Sequence, residues 1–120
     1  MRDVESRVGH RFPDELRRIL ATACRPEGFV GQSYIAFLDP EDLIQCWTSA
    51  RDEAKGFVPF ATNGAGEYYG FDSRRSPVRF LLMPSIGMEW DVAMFLGDTW
   101  IAFWETLRKG DLFERTYQEF

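Results

Sequence analysis

The stretch FVPFATNGAGEYYGFD, residues 57–72, decides the fold class of this 120-residue chain. Two short apolar runs, Phe57–Ala61 and Tyr68–Phe71, stand on either side of the turn-forming segment Asn63–Gly66. Glycine and asparagine tolerate the positive φ angles of tight turns, so this pattern predicts two strands joined as a hairpin. A third apolar run, Val78–Met83, follows another turn and extends the predicted sheet.

Helical spacing of apolar residues surrounds this predicted sheet. The predicted helices cover Val4–Val8, Pro13–Ala23, Pro40 to about Gly56, and Trp100–Leu107. Asp39 is the predicted N-cap of the third helix, and Asp98 or Thr99 that of the last. Two more strands are predicted, at Tyr34–Leu38 and at Trp90–Phe95. We therefore expect an α+β protein with one domain over residues 1–120 and a core between about residues 4 and 112.

The balance of charge is acidic, with 19 Asp and Glu residues against 14 Lys and Arg residues and a net charge of −5. Nucleic-acid affinity depends on basic side chains that neutralise phosphates, so we expect no nucleic-acid partner. No apolar run approaches the roughly 18 residues that span a bilayer, and no apolar signal segment opens the chain, so we expect a cytoplasmic protein with no membrane partner. In that compartment Cys24 and Cys46 are expected to be free thiols, buried as small apolar residues.

Residue types that carry out catalysis are scarce. His10 is the one imidazole, in a turn between two predicted helices, and we expect a surface or capping role for it. Three widely separated Cys and His residues do not form the four-ligand cluster of structural zinc, and Gly64–Gly66 lacks the lysine and the helix of a phosphate loop. We therefore expect no catalytic residue, no metal and no cofactor. An enzyme acting through Glu89 and Asp91 is an alternative.

The order of these motifs resembles the SUKH superfamily of bacterial immunity proteins, which are related to fungal cell-wall assembly regulators. The resemblance covers the chain from Val4 to about Leu112. The family's opening acidic residue, glycine and apolar-Pro pair correspond to Glu5, Gly9, Phe12 and Pro13. Its strand and polar helix correspond to Ile35, Phe37 and Trp47. Its sheet corresponds to Phe57–Asp72 with Pro77 and Val78, and its last helix to Trp100–Leu107. After the second helix the family often carries Asn-Gly, where this chain reads Ala23–Gly28. The resemblance implies an α+β fold with a twisted, largely antiparallel or mixed sheet and helices packed around it.

The resemblance also implies a binding module rather than an enzyme. It would be an immunity protein that binds and neutralises a cognate toxin, often a nuclease, in a polymorphic toxin system. An acidic inhibitor would be steered toward a basic toxin. The candidate partner-binding residues are carboxylates at a predicted helix start and around the sheet, with three aromatic anchors: Asp39, Glu41, Asp42, Glu67, Asp72, Glu89, Asp91, Tyr68, Tyr69 and Trp90.

Structural roles for three of these residues stay open at this point. Asp39 has the position of a helix cap, Asp72 that of a turn residue, and Trp90 that of a core side chain. A second function also stays open, which is a constitutive interaction or regulatory domain like the fungal regulators. Exposed aromatic residues would serve a toxin or a second copy of the chain equally, so monomer and homodimer are both expectations.

Overall fold

Six antiparallel strands form one sheet in the computed structural model, which describes residues 2–22 and 26–110. The strands follow one another across the sheet in chain order: β1 (Glu27–Val30), β2 (Ser33–Phe37), β3 (Phe57–Thr62), β4 (Glu67–Asp72), β5 (Arg79–Pro84) and β6 (Met94–Gly97). Phe57 pairs with Asp72 and Thr62 with Tyr68, so the predicted hairpin around Asn63–Gly66 is confirmed. Cys24 and the segment 111–120 lie outside the described residues.

Four helices accompany the sheet: α1 (Arg2–Val8), α2 (Asp14–Leu20), α3 (Pro40–Ala50) and α4 (Trp100–Lys109). Thr99 is the N-cap of α4, because its hydroxyl oxygen accepts a hydrogen bond from the Ala102 N–H. Gly110 ends α4 in the left-handed conformation, with φ at 81°. None of the helices within residues 2–22 and 26–110 combines the length and the apolar composition needed to cross a membrane. The predicted α+β fold class is confirmed.

One face of the sheet packs against α4, and we call it the α4 face. Phe60 of β3, Tyr69 of β4 and Phe80 of β5 surround Phe103 of α4, with ring centroids 5.4–5.8 Å apart. All four rings are buried, at 2% exposure or less. Aromatic rings bury large apolar areas and gain further from edge-on contacts, so this cluster is the main source of packing energy.

The turn between α1 and α2 is fixed to the same core by a carboxylate. Glu5 accepts a hydrogen bond from the Phe12 N–H at 2.7 Å, and its Oε2 lies 3.2 Å from Nε of Arg17. Phe12 is thereby held edge-on to Phe71 of β4, with ring centroids 5.3 Å apart. The acidic residue of the opening sequence motif therefore orders a backbone turn and neutralises a cation.

The opposite face, which we call the α3 face, is covered over only part of its width. The covered half consists of Phe57, Leu81, Met83 and Phe95, which pack under Ala50, Ala54, Met88, Trp90 and Ala93. The open half lies on β1 and β2 and consists of Glu27, Phe29, Tyr34 and Ala36, which the strand register and the alternation of side chains place on this face. Phe29 is 73% exposed, so within residues 2–22 and 26–110 no comparable cover lies over its ring.

Two element predictions are wrong. Trp90–Val92 was predicted as strand and forms a 3₁₀ helix, and β6 begins only at Met94. The reason is tertiary: the Trp90 indole donates a hydrogen bond to the Lys55 carbonyl at 3.0 Å and packs edge-on against Phe57, which turns this segment over the covered half. The third helix was predicted to reach about Gly56, but it ends at Ala50 and the turn 51–56 follows.

One strand was absent from the prediction, and one cysteine differs from it. Glu27–Val30 carries no apolar alternation, yet it pairs with β2 through the two-residue turn Gly31–Gln32. Cys46 was predicted to be buried, and it is a half-buried free thiol on α3. Gly31 at the first position of the β1–β2 turn was a usable hairpin signal for β1, whereas the position of α3 on the sheet decides the burial of Cys46.

Candidate protein-binding surface

The first turn of α3 carries three of the predicted carboxylates. Asp39 is the N-cap, and its Oδ1 accepts a hydrogen bond from the Asp42 N–H at 2.8 Å. Its side chain therefore caps the helix, which is the structural role that the sequence left open beside partner binding. Glu41 and Asp42 are exposed in the same turn, where negative charge is favoured by the helix dipole.

A groove of about 260 Å³ begins beside this turn, and we call it the α3 groove. Its lining comes from one side of α3, from the turn that follows it, from the start of β4 and from the β5–β6 connection: Gln45, Cys46, Ser49, Glu53, Tyr68, Ser85 and Met88. The α3 residues recur at helical spacing from Asp42 onward, on one side of the helix. The groove therefore combines a helix surface with a strand and a loop.

Tyr68 is the aromatic residue of the groove. Hydrogen bonding of its hydroxyl to the neighbouring Cys46 thiol and burial together raise the pKa of Tyr68 to about 12. The Asp42 carboxylate lies near enough to add to the increase in pKa. The phenol is therefore neutral at physiological pH and offers an apolar ring with a hydroxyl at its edge.

The rim of the groove exposes an apolar side chain. Ser85 is fixed to the β3–β4 turn because its N–H and its hydroxyl both donate to the Gly66 carbonyl, at 3.0 and 2.7 Å. The next residue, Ile86, is 90% exposed. An isoleucine that is held on an ordered turn and left in water is a contact point of the kind that interfaces use.

Glu67 lies outside the groove, although it adjoins Tyr68. Neighbouring side chains of a strand point to opposite faces, so Glu67 belongs to the α4 face. Its Oε1 accepts a hydrogen bond from Asn63 Nδ2 at 2.8 Å, and Asn63 Oδ1 accepts from the N–H groups of Ala65 and Glu67. The half-buried Glu67 therefore helps to order the hairpin turn.

Two predicted contact residues are interior. Tyr69 is 1% exposed, its hydroxyl donates to the Tyr34 carbonyl at 2.9 Å, and burial raises its pKa to about 12. Asp72 is 0% exposed and binds Arg74 through two contacts, Nε–Oδ1 at 2.9 Å and a terminal nitrogen to Oδ2 at 3.1 Å. Because neither side chain reaches the surface, we leave both out of the surface proposed below.

The region around Trp90 is a separate surface. The Arg74 guanidinium stacks over the half-buried indole at 3.6 Å from its centroid, so the tryptophan is sandwiched between the sheet and a cation. Glu89 and Asp91 flank it, and both are exposed. The two carboxylates of the enzyme alternative therefore lie at the surface beside Trp90.

His10 lies in the turn between α1 and α2, as predicted. Its ring packs against Phe71 at 5.6 Å, and Nδ1 lies 2.6 Å from the Arg11 carbonyl. It lines a wider groove of about 530 Å³ with Pro13 and Trp100, on the far side of the sheet from Tyr68. No group of three or more His, Cys, Asp or Glu residues suited to a metal ion occurs within residues 2–22 and 26–110.

Sequence reasoning identified three side chains in or beside the α3 groove, Glu41, Asp42 and Tyr68, and missed the rest. The missed residues are Gln45, Cys46, Ser49, Glu53, Ser85, Ile86 and Met88. The helical spacing of Asp42, Ser49 and Glu53 opposite the buried Leu43 was a usable signal for the helix part. The loop part had no such signal, because the Ser85–Gly66 bonds that place it are long-range.

Comparison with known proteins gives one match. The family model described as SMI1 / KNR4 family (SUKH-1) matches residues 1–103. No curated protein and no solved structure matches the chain. The matched range contains the whole sheet, the α3 groove and the start of α4.

Proposed function

The chain belongs to the SMI1 / KNR4 family (SUKH-1), and on this premise we propose that it is an immunity protein that binds a cognate bacterial toxin and neutralises it non-covalently. The observation that carries the proposal is the family match over residues 1–103. Family membership favours a protein partner, and we place the encounter in the cytoplasm, where an intracellular toxin acts. The proposal assigns no catalytic step to the chain.

The α3 groove is the proposed contact surface. Tyr68 and Ile86 supply apolar contact, and Glu41, Asp42 and Glu53 supply negative charge around them. Interfaces gain most of their affinity from a few aromatic and aliphatic anchors and gain association rate from complementary charge. With a net charge of −5, the chain fits a basic toxin, such as a nuclease domain whose phosphate-binding surface it would cover.

Co-expression tests the proposal directly. A toxin encoded beside the gene of this chain should stop growth of a susceptible cell, and the intact chain should restore growth. The purified pair should also associate more weakly in high salt than in low salt, because screening shortens the range of steering charges. Persistent growth arrest despite folded, soluble protein would contradict the immunity function and would favour a constitutive interaction domain.

A charge reversal locates the contact surface. We expect Asp42→Lys to weaken toxin binding by about 10-fold or more, since it places a cation where a basic partner docks. Glu15→Lys is the matched control, because Glu15 is an exposed acid in the first turn of α2 and the change disturbs that helix dipole similarly. An equal loss in both variants would show that net charge matters and the α3 groove does not.

A further inference from the structure

The outer edge of β1 exposes backbone groups in a fixed pattern. Within residues 2–22 and 26–110, β1 pairs only with β2, and the Phe37 N–H donates to the Pro26 carbonyl, which continues the register of that pair. Residues of antiparallel strands point their N–H and C=O groups alternately toward and away from the partner strand. Pro26, Gly28 and Val30 therefore face β2, and the N–H and C=O groups of Glu27 and Phe29 point away from the sheet.

The side chains of these two residues give the edge a chemical character. Both lie on the open half of the α3 face, two residues apart on one strand. Phe29 is 73% exposed and stands edge-on to Tyr34, with ring centroids 5.3 Å apart. Glu27 accepts a hydrogen bond from the Tyr34 hydroxyl, which fixes the carboxylate beside the aromatic pair. The edge therefore presents an apolar position and an anionic position side by side.

The β1–β2 hairpin is held rigidly from its other face. The Ser33 hydroxyl donates to the Leu107 carbonyl of α4 at 2.7 Å, and Val30 packs against the core. Gly31, with φ at 63°, lies directly under the Arg108 carbonyl, and a Cβ there would stand 2.3 Å from that oxygen. Fixed backbone groups lose little entropy when a partner binds them, so the edge is a preorganised template.

The edge is also continuous with the α3 groove. One cross-strand row runs along the α3 face through the paired residues Glu27, Ala36, Thr62 and Tyr68. Adjacent strands lie about 4.8 Å apart, so the row spans roughly 14 Å from the edge to the groove. A toxin bound at Tyr68 would therefore need only a short extended segment to reach the edge of β1.

We propose that an extended segment of the toxin pairs with the outer edge of β1 as a seventh strand. An apolar side chain of that segment lies opposite Phe29, and a Lys or Arg two positions away lies opposite Glu27. Main-chain hydrogen bonds supply affinity in this mode, and alternate side chains supply specificity. This inference rests on the proposed function and adds a second contact, with a defined sequence pattern, to the α3 groove.

A second copy of the chain fits the edge less well than a toxin. β1 has four residues, so its pairing alone buries far less than the roughly 1,000 Å² of a stable interface. Two copies with a charge of −5 each also repel one another. A toxin already held at the α3 groove needs the edge only as an extension of a larger interface.

Hydrogen exchange of the toxin complex, read at the Glu27 and Phe29 amides, tests this inference. In the free chain both N–H groups point away from β2, and in the complex we expect their exchange to slow by about 10-fold or more. Phe29→Lys should weaken toxin binding by about 10-fold, because a lysine on an edge strand opposes strand addition. Ile101→Lys, at a site 75% exposed on α4, is the matched control and should bind as the intact chain does.

Four results would overturn the inference, and they are distinguishable. Unchanged exchange at both amides, with toxin bound, would place the contact elsewhere and leave the proposed function standing. Equal affinities of Phe29→Lys and Ile101→Lys would do the same. A dimer of the toxin-free chain that Phe29→Lys dissociates in sedimentation would identify the occupant as a second copy. Failure of the intact chain to bind the toxin at all would instead remove the proposed function, and this inference with it.

Discussion

The covered and open halves of the α3 face belong to one sheet. They differ in whether a connecting segment between strands lies over them. The connection between β2 and β3 is residues 38–56, which include α3, and the connection between β5 and β6 is residues 85–93. Both lie over the covered half through Ala50, Ala54, Met88 and Ala93. The β1–β2 turn has two residues, Gly31 and Gln32, so it supplies no chain to cover its own strands. Connection length therefore decides which half becomes core and which becomes surface.

The chemistry of the two halves follows this difference. Phe57, Leu81 and Met83 of the covered half are fully buried. Phe29 of the open half, at the same kind of strand position, keeps 73% of its surface in water beside a carboxylate. The exposed ring contributes little to stability, and the binding role that we propose for Phe29 rests on its place beside Glu27 on a rigid edge strand.

The largest expected difference is in stability. Phe57→Ala should lower the free energy of unfolding by about 3–5 kcal/mol, because it leaves a cavity under Ala50 and removes the contact with Trp90. Phe29→Ala makes the same chemical change in the open half and should cost under about 0.5 kcal/mol. Urea denaturation of both variants measures the two values. Similar losses would mean that the open half is packed as the covered half is, and the comparison would fail.

The next largest effect concerns the residues that fix the cover in place. Arg74→Ala should lower the free energy of unfolding by about 3 kcal/mol, because it leaves the buried Asp72 carboxylate without its bidentate partner and uncovers Trp90. Arg51→Ala is the matched control: Arg51 also lies over a tryptophan, Trp47, at 5.4 Å, but within the described residues it pairs with no buried carboxylate, and its loss should cost about 0.5 kcal/mol. Thermal denaturation would contradict the explanation if both variants melted together.

Elements of the fold that depend on residues close together in sequence were predicted correctly, and elements that depend on distant residues were not. Local signals were sufficient for the Asn63–Gly66 hairpin, the Asp39 and Thr99 caps and the Gly110 stop, since each depends on residues within one turn. Trp90–Val92 was predicted wrongly because Lys55, 35 residues away, determines its position, and β1 was missed because its four residues lack an apolar alternation. Long-range contacts carry no periodicity in a single sequence.

The candidate surface divides in the same way. Asp42 and Tyr68 were identified as residue types suited to an interface, and the structure brings them to one groove. Tyr69 and Asp72, chosen on the same grounds, are interior, because neighbouring positions of β4 face opposite sides and a turn carboxylate is neutralised by Arg74. Phe29 was not selected, since a lone aromatic between glycine and valine is uninformative until it is found on an edge strand.

The smallest expected effects are changes in the pKa values of two tyrosines. Tyr34 lies in the open half of the α3 face, and Tyr68 lies at the border between the open and covered halves. The Glu27 carboxylate raises the pKa of Tyr34 above its ordinary value, mainly through the hydrogen bond it accepts. Tyr68 at the border owes its pKa of about 12 first to Cys46 and then to burial. Glu27→Gln should therefore bring the pKa of Tyr34 most of the way back to about 10, whereas Cys46→Ala should lower that of Tyr68 only partly, because its burial remains.

Titration of the tyrosine ring carbons by NMR resolves both residues in one experiment, with the intact chain as the control. The same pKa values carry a consequence for stability. Between about pH 10 and pH 12 an unfolded tyrosine loses its proton while folded Tyr68 and Tyr69 keep theirs, so the unfolded state binds fewer protons. The stability that these two phenols contribute is fully present below pH 10 and is lost as the pH rises toward 12. A full return of Tyr68 to about 10 in Cys46→Ala would show that burial contributes nothing there, and that the border of the covered half is as open to water as β1.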